Sequence, residues 1–155
     1  MTHDEFLAAT DQIARASAIA SIAHRGQVDK AGDAYIGHVR RVAGFFDESR
    51  WVERCAALLH DTIEDSDLTE KDLFRAGVRR NVLDIVVLLT RTDDVVYDEY
   101  YARIRNNSRA RLVKLADLAD NSDPKRLNRL EPALAARLEA KYAAAHAALT
   151  GASNG

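Results

Sequence analysis

Two imidazoles and two carboxylates stand out among the side chains able to do chemistry: His38, the doublet His60-Asp61, and Asp117. The doublet closes an apolar run, Ala56-Ala57-Leu58-Leu59, and Thr62-Ile63-Glu64-Asp65 follows at once. A mixed nitrogen and oxygen set suits a borderline-to-hard divalent ion such as Mn²⁺ or Fe²⁺. Structural zinc prefers thiolates or a closed four-coordinate shell. Four protein ligands on an octahedral ion leave room for a water and a phosphate oxygen, as metal-assisted hydrolysis requires. Glu64 and Asp65 would lie just outside such a shell. A carboxylate there can take a proton from the attacking water or hold that water in line.

The spacing sets a condition on the backbone. Adjacent side chains on a regular helix diverge by about 100°. His60 and Asp61 can therefore share one ion only where the helix ends or bends, and Thr62 to Ser66 permit that. Asp117 and Asn121 stand at i and i+4 on one helical face, with Lys114 three residues before Asp117. That face can present a carboxylate, an amide and an ammonium to one phosphorylated molecule. Asp61, Glu64, Asp65 and Asp117 repel one another without a cation, so a divalent metal should stabilise the fold as well as enable chemistry.

The elements that must position these residues read as helices. Nearly every segment has a 3.6-residue apolar period, and no stretch alternates as a strand does. The pattern predicts an all-α protein of about eight helices. The first runs from about Asp4 to Gln27, with Phe6, Ile13, Ala16 and Ala20 on one face, and Gly26, Gly32 and Gly37 punctuate the following loop. Helices from about His38 to Asp47 and from about Trp51 to Asp61 come next. Thr69-x-x-Asp72 forms a capping box for a short fourth helix that stops at Gly77. Val78, Val82, Ile85, Val86 and Leu89 give the stripe of the fifth; the sixth and seventh span 97–105 and 108–120. Asn121-Ser122-Asp123-Pro124 is a stop, and Pro132 opens a last alanine-rich helix carrying Leu134, Leu138 and Leu149. No repeat or linker divides the chain: residues 1–150 read as one domain and 151–155 as a frayed tail.

Bulk properties narrow the function classes. The chain has 155 residues, enough for a real core, and a net charge of −2, which gives no reason to expect nucleic acid as a partner. One cysteine, Cys55, excludes an internal disulfide; its apolar neighbours make it a small buried hydrophobe rather than a nucleophile. No signal core and no membrane-length apolar run are found, so a soluble cytoplasmic protein is expected. His24 reads as a core imidazole or a support behind the ligands, and His3 and His146 as surface residues. Trp51, Tyr97, Tyr100 and Tyr101 read as packing residues. Arg103, Arg105, Arg109 and Arg111 read as a solvated face, and the last helix as a surface for a homo-oligomer.

Three separated segments, in order, carry a family resemblance. They are Ala23-His24-x-Gly26-Gln27 with Lys30-x-Gly32 and Tyr35-Ile36-x-His38; Leu58-Leu59-His60-Asp61-Thr62-Ile63-Glu64-Asp65; and Val113-Lys114-Leu115-Ala116-Asp117 with Asn121. Between about Ile19 and Leu130 the chain resembles the HD-domain metal-dependent phosphohydrolases. Within them it is most similar to the hydrolase domain of the bifunctional Rel/SpoT-type (p)ppGpp enzymes and to the stand-alone small alarmone hydrolases. The resemblance implies a compact helical bundle around a metal held by His38, His60, Asp61 and Asp117. It makes Glu64 and Asp65 the catalytic pair and gives Lys30 and Asn121 contacts with a small phosphorylated nucleotide; Lys114, on the Asp117 face, completes the expected grip.

The departures fall on base-reading positions. The family's Arg before the loop lysine is Asp29 here, and the usual Arg-Leu-His-Asn after the aspartate is Leu118-Ala119-Asp120-Asn121. A carboxylate cannot stack on a base as a guanidinium does. The expected activity is manganese-dependent release of pyrophosphate from the 3′ position of a (p)ppGpp-like substrate. The rivals are hydrolysis of another nucleotide or dinucleotide, which Asp29 keeps open, and a non-catalytic nucleotide-binding module.

Overall fold

The structure, a computed structural model, describes residues 1–151, all of them helix, turn or loop apart from one isolated bridge. The expected frayed tail lies outside the described residues except for Gly151. Ten helices follow in order: α1 (His3–Ala23), α2 (Ile36–Ala43), α3 (Trp51–Leu59), α4 (Thr62–Asp65), α5 (Glu70–Arg75), α6 (Arg80–Leu89), α7 (Tyr97–Arg105), α8 (Ser108–Asn121), α9 (Pro124–Leu127) and α10 (Pro132–Thr150). A 3-10 turn, Glu48–Arg50, leads into α3. The expected all-α bundle is present. The surplus over eight is α4 and α9, single turns too short to show a period in sequence.

The core is organised around α3. Val52, Cys55, Ala56, Ala57, Leu58 and Leu59 are all buried, so this helix is covered on nearly every side by α1, α2, α6 and α8. Ala16 and Ala20 of α1 are also fully buried, and small side chains on both helices permit close approach of the backbones. α10 lies across α7 and α8 and seats Leu138, Ala145 and Leu149.

Capping chemistry sets the ends. Thr2 Oγ1 accepts the Glu5 N–H at 3.2 Å while Glu5 Oε2 accepts the Thr2 N–H at 2.6 Å. The expected box at Thr69 and Asp72 has the same reciprocity. α5 ends on Gly77 at φ +91°, with the Gly77 N–H on Phe74 O and the Val78 N–H on Leu73 O. Leu73 and Val78 are both buried, the apolar contact that accompanies this stop. Val78 thus belongs to the cap of α5 and not to the next helix, which starts at Arg80.

Three further expectations are corrected. The first helix stops at Ala23, because Gly26 at φ +78° turns the chain away. Phe6 is half exposed; the buried stripe of α1 starts one turn later, at Ala9, and continues through Gln12, Ala16 and Ala20. Gln12 is buried because its amide joins α1 to the α5–α6 turn, donating to Gly77 O at 2.9 Å and accepting the Arg79 N–H at 3.0 Å. Gly37 is not in a loop but in the first turn of α2.

Candidate metal centre

Three elements deliver the four ligand candidates. His38 comes from α2, His60 and Asp61 from the end of α3, and Asp117 from the middle of α8. The break required between His60 and Asp61 is present. His60 keeps helical angles as the last residue of α3's path, while Asp61 turns to φ −101°, ψ 0° before the single turn α4. The two side chains therefore converge instead of diverging. One donor atom from each of His38, His60, Asp61 and Asp117 falls within a group no wider than 4.8 Å. His38 Nε2 lies 2.9 Å and His60 Nε2 3.2 Å from Asp117 Oδ1, and His60 Nε2 lies 3.1 Å from Asp61 Oδ2.

The outer nitrogens of both rings are occupied. His60 Nδ1 lies 2.6 Å from the Ala57 carbonyl, which can only accept, so Nδ1 carries a proton. In the neutral ring Nε2 is then a lone pair aimed at the cluster, the form in which imidazole binds a metal. His38 Nδ1 lies 2.7 Å from Asp120 Oδ2, which sets the same tautomer. Two inward lone pairs and two carboxylates fit a divalent cation.

The electrostatics agree. Burial penalises charge on His60, but Asp61 and Asp117 outweigh it and hold the ring's pKa well above the usual value. His38 is raised too, against its burial, by Asp117 and Asp120. Burial would raise Asp61, yet His60 pulls its carboxyl down to about 2; against the same burial, Lys114 and His60 hold Asp117 well below the carboxylate range. The two imidazoles and two carboxylates thus keep charges that balance one another, or that a cation balances in place of the imidazole protons. Tyr35 adds its hydroxyl, donating to Asp61 Oδ2 at 2.5 Å.

Glu64 and Asp65 sit on α4 beside the cluster, and both line a cavity of about 490 Å³ that also reaches His38, Asp61 and Asp117. Glu64 Oε1 accepts the backbone N–H of Arg91, which anchors the loop between α6 and α7. Partial desolvation at the cavity wall pushes both carboxyl groups above their ordinary pKa although each keeps solvent contact, and the charge of Asp61 adds to the effect. Lys30, Lys114 and Asn121 line the same cavity. Lys114 Nζ and Asn121 Nδ2 both donate to Asp117, at 2.9 and 3.1 Å.

Other wall residues were not evident in the chain. Arg41 and Arg126 face the cavity and meet on Asp120, and Tyr97 and Tyr101 line it as well as packing against each other. Tyr100 reaches the same wall but is largely buried, and its hydroxyl donates to Leu89 O at 2.6 Å. Tyr35 had a signal, its place in Tyr35-Ile36-x-His38; Arg126 had none, because a turn separates it from Asp120 and no period spans the break. His24 is a buried support. Its Nδ1 meets Gln27 Oε1 at 2.8 Å, and Gln27 Nε2 donates to the Asp65 carbonyl at 2.6 Å. Cys55 is buried and its thiol is pushed up to about 12, so it is no nucleophile.

Asp29 lines the same cavity but is tied into its own loop. Its Oδ1 accepts the N–H groups of Ala31 at 2.9 Å and Asp33 at 3.0 Å, closing its own loop, and Arg129 clamps that loop through Asp33.

No family model matches the chain. It is 34% identical over 125 residues to a GTP pyrophosphokinase of Streptomyces coelicolor, a match covering 71% of this chain and 14% of that protein. It is 35% identical over 116 residues to a guanosine-3′,5′-bis(diphosphate) 3′-pyrophosphohydrolase of Vibrio cholerae, covering 66% and 16%. It is 32% identical over 127 residues to the bifunctional (p)ppGpp synthase/hydrolase SpoT of Escherichia coli, covering 72% and 18%. The chain thus spans less than a fifth of the length of these curated relatives. Its fold matches a solved metazoan orthologue of SpoT, described as hydrolysing ppGpp and playing a role in starvation responses. That match has a TM-score of 0.61 and 24% identity, over 90% of this chain and 92% of the other. Among the described residues no helix is long and apolar enough to cross a membrane.

Proposed function

We propose that this chain, a Rel/SpoT hydrolase-like HD domain by its sequence relatives and its fold, releases pyrophosphate from the 3′ position of a (p)ppGpp-like nucleotide. The supporting observation is one cavity. It holds His38, Asp61 and Asp117 together with the carboxylates of Glu64 and Asp65 and the cations Lys30, Arg41 and Arg126. Cationic walls beside a cluster able to hold a divalent ion fit an anionic, phosphorylated ligand. The reading takes residues 1–150 as one working domain. It puts the enzyme in the cytoplasm with its nucleotide, and gives the exposed face of α10 to a second copy.

His38, His60, Asp61 and Asp117 would hold the metal. Mn²⁺ fits the mixed nitrogen and oxygen set best, with Fe²⁺ next. When bound, the ion supplies Lewis-acid polarisation of a phosphoryl oxygen and a lowered pKa for water. The chain's own residues do the rest. Glu64 Oε1 is engaged by the Arg91 N–H, which leaves Oε2 for a proton of the attacking water. Partial desolvation at the cavity wall and the nearby charge of Asp61 raise the carboxyl pKa of Glu64 and Asp65, which makes them stronger bases and favours that transfer. Lys30 and the two arginines neutralise phosphate charge, while Lys114 and Asn121 approach the substrate from beside Asp117.

A second reading, hydrolysis of a different nucleotide, is favoured by Asp29. The carboxylate closes its loop where the family places a base-stacking guanidinium. The test is product analysis. Metal-stripped protein, with and without Mn²⁺, is given guanosine tetraphosphate and a panel of other nucleotides and dinucleotides. Manganese-dependent release of pyrophosphate from the guanosine compound is expected. Faster turnover of another nucleotide selects the second reading, and no turnover of any compound overturns both.

A further inference from the structure

The structure assigns a positioning role to Asp120, which we infer is the anchor that presents His38 to the metal. The inference rests on the proposed metal centre but concerns a residue outside the expected ligand set. Asp120 stands where the resemblance leads one to expect a histidine, so its role does not carry over from the family pattern.

Asp120 lies one turn beyond Asp117 on α8 and is only 6% exposed. A buried carboxylate needs partners, and this one has three. Oδ2 takes the Nδ1 proton of His38 at 2.7 Å and is ion-paired with Arg126 Nη2 at 2.6 Å. Oδ1 takes the Nε proton of Arg41 at 2.9 Å. Arg126 also donates to the Asp120 backbone carbonyl. The two guanidiniums fix the carboxylate from both sides, so its direction toward His38 is set by α2, α8 and α9 together.

The two imidazoles are thereby treated differently. His60 leans on a neutral carbonyl of its own helix, that of Ala57. His38 leans on a carboxylate from another helix. A charged acceptor on Nδ1 fixes the tautomer, orients the ring and raises the basicity of Nε2, the atom 2.9 Å from Asp117 Oδ1. Partners of this kind change metal affinity by about 10–100-fold when removed. Asp120 touches no reacting atom in this scheme and acts through His38.

The experiment compares wild type, Asp120→Asn, Asp120→Ala and His38→Ala. Metal-stripped protein is titrated with Mn²⁺ by calorimetry, after thermal unfolding has established which variants are folded. Asp120→Ala should bind about 10–100-fold more weakly. Asp120→Asn, whose amide oxygen still accepts from Nδ1, should show a smaller loss and carries the test where Asp120→Ala fails to fold. A second measurement needs no metal: the ring nitrogens of His38 are observed by NMR at alkaline pH, where the ring is neutral. Wild type should hold the proton on Nδ1, and Asp120→Ala should move population to Nε2. Undiminished Mn²⁺ affinity in Asp120→Asn, with binding lost in His38→Ala, overturns the inference. So does a wild-type His38 protonated on Nε2. A wild type that binds no Mn²⁺ but keeps the Nδ1 proton instead overturns the metal reading and leaves the Asp120–His38 anchor standing.

Discussion

Lys114 donates from Nζ to Asp117 Oδ2 at 2.9 Å, one turn away on the same helix. The other oxygen, Oδ1, faces His38 and His60 and accepts from Asn121 Nδ2. One carboxylate is therefore shared between a permanent cation and the place where a metal would sit. Burial works against the ammonium, but Asp117 outweighs it and raises the Lys114 pKa, so Lys114 stays charged. Two side chains expected to grip substrate are in this way also supports of a ligand candidate.

Lys114→Met should destabilise the metal-free protein, because it leaves the buried Asp117 without its fixed counter-charge. Removing one partner of a buried ion pair costs about 3–5 kcal/mol. Urea unfolding in chelator is the measurement. Mn²⁺ should restore part of the loss, since a cation between His38 and Asp117 offsets the same charge. Unchanged stability in chelator would show that the pair makes no net contribution.

Glu64→Gln combined with Asp65→Asn should reduce turnover by at least about 10²-fold while leaving Mn²⁺ affinity within a few-fold of wild type. The amide oxygen that replaces the Glu64 carboxylate can still accept the Arg91 N–H, so the loop between α6 and α7 should keep its place. Steady-state kinetics and calorimetric titration separate the two effects. Loss of metal in the double variant would move these carboxylates into the ligand set.

Much of the site was legible because its chemistry is unusual in residue type. Histidines and carboxylates at the end of an apolar helix, with a third carboxylate on another, have few structural uses. The convergence of His60 with Asp61 was legible as a condition, and the turn at Asp61 meets it. The cluster of Asp120 with Arg41 and Arg126 was not legible, because α2 meets α8 only in three dimensions and the short step from Asp120 to Arg126 crosses a helix break that no period spans. Phe6 failed as a core residue for a related reason. Periodicity assigns a face but not where along the helix the neighbouring elements begin to cover it. The single turns α4 and α9 fall below the length at which a period can be read.

The carboxylate of Asp29 keeps its charge at the cavity wall but is held in place, because its Oδ1 already accepts the Ala31 and Asp33 N–H groups. Asp29→Asn should therefore leave the loop intact, since the amide oxygen can accept the same bonds, and only modestly lower the Michaelis constant for an anionic nucleotide. Asp29→Arg introduces a stacking guanidinium and removes the loop's closure at once. The Michaelis constant for a guanosine polyphosphate should fall less than a simple charge swap implies, and exchange of the loop amides with solvent should speed up. Kinetics with hydrogen exchange at Ala31 and Asp33 test this. An unaltered loop with a much lower Michaelis constant would show that the closure is dispensable and that charge alone governs binding there.

Proton and metal should compete for the same nitrogens, which makes metal stabilisation depend on pH in a defined direction. His38 is raised and His60 well raised above their ordinary 6.5. Each therefore contributes stability to the metal-free fold that is fully present below about 6.5 and lost as pH rises through the folded value. Asp61, brought from an ordinary 3.8 to about 2, works the other way: its contribution is present above about 3.8 and lost as pH falls toward 2. For this cluster the metal-free protein is best off between about pH 4 and pH 6.5, where protons on the imidazoles balance the carboxylates. A metal must displace those protons, so its advantage is small there and grows as the rings lose them. Thermal unfolding with and without saturating Mn²⁺, at steps from about pH 5.5 to about pH 8, should show a small rise in melting temperature at the acid end and a larger one at the alkaline end. The trend should disappear when His38 and His60 are both replaced by alanine. A manganese-induced rise that stays constant across the range would mean that the ion is held by carboxylates alone, with neither imidazole among its ligands.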